Sequence, residues 1–430
     1  MHLGDNHLGV GFDLAKELFE KIGKASFDGT GFTRAAYGEG EQMAHDIVAE
    51  VARSLDLDIE IDAALNMSMT LRGRNSGVRV LMIGSHLDAV PSGGNYDGLA
   101  GVLSGVACLA ALRNSSKQLP YDISVLALRG EESAWFGAQH LGSRALLGTL
   151  DQTVLETATR VDSGQTLGFH MREAGVDLSK IGIGKPLRDL GEIAGFVELH
   201  IEQGPLLLKA DKPVGIVTGI RGNRRCRKIV CTGEYGHSGT VARPDRRDAV
   251  FAVSELITKM DALWKVIEED EGGDMVLTFG RFSTDDSAHS VTTVPGQVEF
   301  CFDVRSHSVD ILKRTESALV EEMESISKNR NVTFARDAFT GDMPTNMDCG
   351  FQQLLKTGCA DLKISAMPIT SGAGHDAGDF AMAGIRSAML FIRSENGSHN
   401  PNEHIDLGDF NQGTRLISWF AKQLSAGVSQ

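Results

Sequence analysis

The six cysteines, Cys108, Cys226, Cys231, Cys301, Cys349 and Cys359, include no C-x-x-C pair. That absence removes the zinc-finger and thioredoxin-like readings. Several of these thiols stand in apolar runs, where a free cysteine behaves as a small hydrophobe, so reduced, structural cysteines are expected. No apolar run approaches the ~20 residues of a membrane-spanning helix, and no basic stretch leads into an apolar signal segment at the N-terminus. A cytoplasmic protein with no membrane partner is therefore expected. Basic residues are also scarce: 42 Lys and Arg against 57 Asp and Glu leave a net charge of -15. Nucleic-acid binders carry a basic patch or stripe, so nucleic acid is not an expected partner. Internal repeats and low-complexity tracts are missing as well.

What is present is ordinary globular composition, 42% hydrophobic and 23% charged. A length of 430 residues suggests two to three domains and buries a large core without covalent staples. Apolar residues recur at helical spacing over 11–24 (Leu14, Leu18, Ile22) and 42–55 (Ala44, Ile47, Val51, Leu55). Residues 78–84, with Val78, Val80, Leu81, Met82 and Ile83, read as a buried strand. A polar, Gly-rich loop, a small-residue helix over 98–113 and a second apolar strand over 121–128 follow. Unbroken apolar strands separated by a helix are the grammar of a buried parallel sheet. Farther on, strands are expected at 227–232 and 297–304, and helices at 249–266 and 309–327, with 214–218 carrying the chain in, which suggests an inserted α+β domain. An apolar strand at 386–392 and a helix at 408–424 return to the first domain. The expected fold class is thus an α/β domain with a mixed, mostly parallel sheet (1–213 and 333–430), interrupted by a smaller α+β domain (214–332).

Five separated segments offer metal-type ligands beside glycines or at the ends of apolar runs. They are Gly84-Ser85-His86-Leu87-Asp88, Asn95-Tyr96-Asp97-Gly98, Arg129-Gly130-Glu131-Glu132-Ser133, Glu198-Leu199-His200-Ile201-Glu202 and Gly397-Ser398-His399-Asn400-Pro401. In open α/β sheets, ligands gather beyond the carboxyl ends of the strands, and His86 and the glutamate pair lie just past such ends. Imidazoles and carboxylates suit zinc and its neighbours. Two cations sharing a carboxylate activate a water and polarise a carbonyl together. Asp97 is placed to bridge, with His86 and His200 on one metal and Glu132 and His399 on the other. Glu131 is the candidate general base, and Asp88 the residue that orients an imidazole or the bridging carboxylate. Each segment alone has a plainer reading: a loop histidine, a solvated glutamate pair, an Asp-Gly turn. Their joint occurrence is what points to metal-assisted hydrolysis.

The motifs GSHLDAVPSGGNYDG (84–98), EESAWF (131–136), LGSRAL (141–146), HIEQGP (200–205), GHSGT (236–240), VPGQVEF (294–300), DVR (303–305), SGAGHDA (371–377) and SHNP (398–401) resemble, in order and over nearly the whole chain, the M20 metallopeptidase-like amidohydrolases. Within them the chain resembles the hydantoinase/carbamoylase group, which acts on N-carbamoyl amino acids, allantoate and related ureido acids. The resemblance implies an α/β catalytic domain and an inserted domain serving as lid and homodimer interface. It implies His86, Asp97, Glu132, His200 and His399 as ligands of two divalent ions per subunit, zinc first, with manganese, cobalt or nickel as alternatives. It implies Glu131 as base. His200 stands where peptidase relatives tend to have an aspartate, which favours the carbamoyl group. His404 falls outside the SHNP element and is read as a surface or pocket-edge residue.

The resemblance also implies that Gln203 contacts the ureido or amide group, that His237 stabilises the oxyanion and that Arg305 holds a substrate carboxylate. His375 would stand near the scissile group. The bland readings of His237 as a loop histidine and Arg305 as a strand-end charge stay open. The departures from the family pattern are Thr292 in place of an asparagine that helps hold the carboxylate, Val241-Ala242-Arg243 after GHSGT, and Trp135 where arginine is common. They fall in elements expected to touch substrate. Arg221, Arg224, Arg225 and Arg243 make the entry to the inserted domain basic, which suits an extra substrate carboxylate unless they are solvated or paired. The function expected is hydrolysis of a non-peptide C–N bond in an N-carbamoyl amino acid or related ureido acid, by metal-activated hydroxide with Glu131 as base. The alternatives are an N-acyl amino acid deacylase or dipeptidase of the same superfamily, or a catalytically silent metal-binding homologue.

Overall fold

A computed structural model of the chain describes residues 5–74, 79–113 and 119–427; Val78, the expected first residue of a strand, lies outside the described residues. The described chain divides into two compact units. One holds the chain up to Thr218, Met347–Ser371 and His375 onward; the other holds Gly219–Asn346 and Gly372–Gly374.

In the larger unit the strands Ser387–Ile392, Ile193–Ile201, Val80–His86 and Asp122–Leu128 lie side by side in that order, all parallel. Antiparallel strands flank them: Val214–Ile220 beside Ser387–Ile392, and Met67–Leu71 then Asp58–Ile61 beyond Asp122–Leu128. Every residue of Val80–His86, Asp122–Leu128 and Ser387–Ile392 is buried. A strand covered on both faces has no polar side to alternate with, which is why these read as continuous apolar runs. The register pairs His86 with Leu128 and Ile392 with Ile201, so the carboxyl ends of neighbouring strands finish level.

The helix Leu99–Arg113 is buried on all sides from Leu99 to Leu112. It packs on the strands and is covered in turn by the helices Asp5–Ser26 and Leu407–Gly427. A helix in that position is apolar all round rather than striped. Its small residues set how close it sits: a Cβ on Gly101 would lie 2.3 Å from the Leu199 carbonyl oxygen and 2.5 Å from Ser85 Cβ. A second apolar cluster, with Tyr37, Trp135, Phe136, Leu141 and Leu167 among its members, anchors the irregular segment that follows Glu132.

The smaller unit is an antiparallel sheet in the order Val276–Thr278, Gln297–Ser306, Gly222–Thr232, Thr333–Arg336, with Phe282–Thr284 also on Gln297–Ser306. Burial alternates along Gln297–Ser306, and Val298, Phe300, Phe302 and Val304 face a core shared with helices Ala249–Lys265 and Val309–Arg330. The unit extends beyond position 332, because Thr333–Arg336 pairs with Gly222–Thr232 and Thr345–Asn346 pairs with Gly219 and Ile220.

Gly101→Ala tests the close approach of helix and sheet. Alanine gains ~1 kcal/mol of helix propensity, but overpacking a rigid backbone costs ~1–3 kcal/mol. A net loss of stability is expected, read as a lower denaturant midpoint. An unchanged or raised midpoint would show that the helix can back away from the strands freely.

Candidate metal centre

His86 ends the strand Val80–His86, and its ring is fully buried. Its Nδ1 lies 3.2 Å from the Asp88 carbonyl oxygen and 3.2 Å from Asp88 Oδ1. His200, one residue from the end of Ile193–Ile201, has its Nδ1 3.0 Å from the Ile201 carbonyl oxygen. A carbonyl only accepts, so in each neutral imidazole the proton belongs on Nδ1 and the lone pair on Nε2. Both Nε2 atoms turn toward Asp97, whose Oδ1 is 3.8 Å from that of His86 and 3.0 Å from that of His200. Asp97 Oδ2 faces elsewhere, 3.5 Å from His399 Nε2, which is itself 3.2 Å from Glu132 Oε1.

The structure thus brings the five expected ligands into two groups sharing one aspartate: His86, Asp97 and His200, and Asp97, Glu132 and His399. Within each group the donor atoms all lie within 4.8 Å of one another. Buried His86 Nε2 and Asp97 Oδ1 nevertheless have no hydrogen-bond partner. Buried polar atoms are nearly always paired. Here they converge on common points, as ligands of a cation do. The charge balance agrees. Burial, only partly offset by His399, pushes the Glu132 carboxyl up to about 7, and Asp97 and Glu131 push it the same way. Burial opposes charge on His200, yet Asp97 holds its imidazolium up to about 9. Negative charge is crowded here, and a pair of divalent ions fits the donor set. A third group, Glu198, His200 and His375, is less suited, because Glu198 already accepts from Ser85 Oγ and the Ala377 amide, each at 2.8 Å.

The supports are specific. Asp88 accepts the Glu131 amide on Oδ1 at 3.0 Å and the Glu132 amide on Oδ2 at 3.1 Å. One carboxylate therefore fixes both glutamates while touching His86. Glu403 Oε1 accepts the amides of Tyr96 and Asp97 at 2.9 and 3.1 Å. Gly98 has φ +66°, and a Cβ there would lie 2.4 Å from the His86 ring, so two requirements meet on one glycine. Glu131 Oε2 sits 3.9 Å from His86 Nε2, and Oε1 3.4 Å from Nε2 of His140. The sequence reading did not single out Glu403 or His140. Neither stands at a strand end or in a recurring pattern, so only their place in space reveals them.

Gln203 Nε2 donates to Asp97 Oδ2 at 2.8 Å. His375 is buried with its ring 4.4 Å from that of His200, Nε2 on Ser371 Oγ at 3.0 Å and Nδ1 unpartnered. His404 is exposed. His237, Thr292 and Arg305 belong to the smaller unit. There His237 is exposed on a short strand paired with Thr293–Val294, its Nδ1 accepting the Gly239 amide. The Thr292 carbonyl accepts the Ser238 amide at 2.9 Å. The Arg305 guanidinium is held by Asp303 at 3.1 Å and by the Gly372 carbonyl at 2.8 Å.

Two expectations need correction. Trp135 is not a substrate-facing group: it is buried in the cluster beyond Glu132, and its Nε1 donates to the Ala89 carbonyl at 2.8 Å. The basic entry is largely neutralised within the smaller unit. Arg221 is chelated by Asp274, Arg224 lies 3.3 Å from Glu316, and Arg225 3.6 Å from Asp303. Only Arg243 of the four is exposed without an ion pair among the described residues.

Residues 82–423 match Peptidase family M20/M25/M40. The chain is 32% identical to the N-carbamoyl-L-amino acid amidohydrolase of Geobacillus stearothermophilus over 398 residues, covering 92% of this chain and 94% of that protein. It is 30% identical to the allantoate amidohydrolase of Bacillus subtilis, covering 92% of each. Among solved structures it is similar to an amidase of the hydantoinase/carbamoylase family from Burkholderia multivorans, with a TM-score of 0.85, 25% identity, and coverage of 96% of this chain and 97% of that one. The chain belongs to peptidase family M20/M25/M40, as a hydrolase of its hydantoinase/carbamoylase group.

Proposed function

We propose that this protein hydrolyses a non-peptide C–N bond of an N-carbamoyl amino acid or related ureido acid. The observation that carries the reading is Asp97, whose two oxygens face two separate groups of ligating atoms, with Glu131 beside them and outside both groups. His86, His200 and Asp97 would hold one divalent ion, and Asp97, Glu132 and His399 the other. When bound, such a pair polarises the scissile carbonyl and makes water acidic enough to attack near neutral pH. Zinc, manganese, cobalt and nickel all accept this donor set.

Glu131 takes the proton of the attacking water and returns it to the leaving nitrogen. Asp88 keeps both glutamates in place and the His86 lone pair turned inward. Gln203 spends its amide N–H on Asp97, so its Oε1 is the atom left to accept from a ureido N–H. Burial and the neighbouring His200 keep His375 neutral, and its Nδ1 is available to the scissile group. In the smaller unit His237 is assigned to the developing oxyanion. Arg305 is assigned to the substrate carboxylate, a bidentate guanidinium task that requires it to exchange the Gly372 carbonyl or Asp303. The smaller unit also serves as lid and as the contact of a homodimer, and the compartment is cytoplasmic.

The direct test is a panel of N-carbamoyl amino acids, allantoate and ureidoglycolate, beside N-acyl amino acids and dipeptides, with metal-depleted and reconstituted enzyme. Metal-dependent ammonia release from a ureido substrate is expected. Turnover confined to N-acyl amino acids or dipeptides, without ammonia, would replace this reading with deacylase or peptidase action. Glu131→Gln should keep its metal and its melting temperature while turnover falls ~10²-fold or more; near-normal turnover would remove Glu131 from the proton transfer. Asp97→Ala should lower bound metal from about two ions per chain to about one or fewer, measured by elemental analysis after dialysis. Retention of both ions would exclude Asp97 as their bridge.

A further inference from the structure

His140 was not among the expected site residues, yet it is built into the site with unusual firmness. Its backbone is left-handed, with φ 56° and ψ 39°, a conformation that a residue bearing a Cβ adopts only when its surroundings over-determine it. The surroundings are the catalytic loop itself. The amides of His140, Leu141 and Gly142 donate to the carbonyls of Glu131, Gly130 and Arg129 at 2.9, 2.8 and 2.8 Å. The segment carrying His140 is therefore laid back along the segment carrying Glu131. Its imidazole then stands between two carboxylates, Nε2 3.4 Å from Glu131 Oε1 and Nδ1 2.5 Å from Asp379 Oδ2. All three side chains are at least nine-tenths buried. Asp379 lies on the helix Asp376–Met382, which is tied to the same segment by Ser143 Oγ donating to Asp376 Oδ1 at 2.5 Å.

We propose that His140, braced by Asp379, is a positioning residue that holds Glu131 Oε1 and so leaves Oε2 turned toward His86 and the metal centre. The inference rests on the reading of Glu131 as general base and deepens it. A glutamate carboxylate, carried on three rotatable bonds, can turn either oxygen to the reacting water or swing away. An imidazole locked from behind by Asp379 removes that freedom. It does for the base what a carboxylate behind a metal-bound histidine does for the ligand. Burial opposes a charge on His140, but Asp379 and Glu131 outweigh it and hold the imidazolium well above its ordinary range, as a cation set between two carboxylates. The role is positional, since His140 touches no proposed ligand.

The test is a double-mutant cycle on whichever of N-carbamoyl-L-alanine, allantoate and ureidoglycolate is turned over fastest. His140→Ala should lower kcat ~10–100-fold with KM and bound metal nearly unchanged, and His140→Gln, which restores a donor near Nε2, should recover much of the loss. In a Glu131→Gln background the His140→Ala change should cost nothing further, because residues acting as one unit are non-additive. Equal losses in both backgrounds, or an unchanged kcat in the single variant, overturn the proposal while leaving Glu131 as base. A Glu131→Gln enzyme of normal activity overturns both. If His140→Ala fails to fold, Asp379→Asn takes its place in the cycle, with the same non-additivity expected. A readout without turnover completes the test: in the metal-free chain labelled with 15N-histidine, the ring signals lost in His140→Gln should shift in both Glu131→Gln and Asp379→Asn. Signals that ignore Glu131→Gln would show that the two side chains do not touch.

Discussion

Asp97 is the residue on which the arrangement turns. It is buried, its two oxygens face different sets of neighbours, and one of them has no hydrogen-bond partner. An ionised carboxylate out of water is costly unless paired, and here Glu131, Glu132 and Asp88 are buried in the same place. The Nε2 atoms of His86, His200 and His399 reach into this cluster beside Asp97. Their convergence on shared points is the geometry of ligation. Such a site would be unstable as a mere salt-bridge cluster, since buried ion pairs rarely repay their desolvation. It becomes reasonable as a place that exchanges protons for cations.

Rigid backbone placement makes the crowding tolerable. Parallel pairing brings the ends of Val80–His86 and Asp122–Leu128 level, so His86 and the Glu131–Glu132 pair emerge at one edge of the sheet. The loops that continue from these ends are each pinned by a buried carboxylate. Asp88 holds the amides of Glu131 and Glu132, and Glu403 those of Tyr96 and Asp97. Glu41 accepts the Gly130 amide and pairs with Arg129 at 2.9 Å. Burial drives the Glu41 carboxyl up to about 7 against the pull of Arg129. Charge-assisted hydrogen bonds to backbone amides are among the stronger ones, and a site whose own members repel one another needs such restraint.

Much of this was legible in the sequence, for physical reasons. Buried parallel strands leave apolar runs, and ligands at their ends stand out against glycine-rich loops; His86, Asp97, Glu132, His200 and His399 are all of that kind. The antiparallel strand Gln297–Ser306 alternates because one face is covered, and that too is visible. The edge strand Asp58–Ile61, mostly exposed, carries no such signal and was not anticipated. Pairing across sequence distance is the other blind spot. Arg221 and Arg224 left a free and a paired basic patch both open, because Asp274 and Glu316 lie far along the chain. Trp135 read as a substrate contact because it follows the glutamate pair, whereas the chain turns it into a local core. His140, Asp379 and Glu403 act only through three-dimensional neighbours, so no local pattern marks them.

The departures from the family pattern divide in an instructive way between the two units. The five proposed metal ligands and Glu131 all belong to the larger unit, and there the one conspicuous departure, Trp135, is absorbed into packing. Thr292 and the Val241-Ala242-Arg243 stretch belong to the smaller unit, where they alter hydrogen-bonding capacity and charge. Threonine offers one hydroxyl where an amide offers two donors and an acceptor. Arg243 adds an exposed cation whose charge, unlike that of its neighbours, is not spent on an acidic partner among the described residues. On the proposed reading, bond cleavage constrains distances among the ligating atoms to a fraction of an ångström, so those residues tolerate little change. On the same reading, recognition of the rest of the substrate falls to side chains of the smaller unit, and at its exposed positions a change costs little stability. On the proposed reading, a carboxylate-bearing ureido acid is distinguished from its relatives by the smaller unit's Thr292, Arg243 and Arg305, while the reaction itself is set by Asp97 and its neighbours.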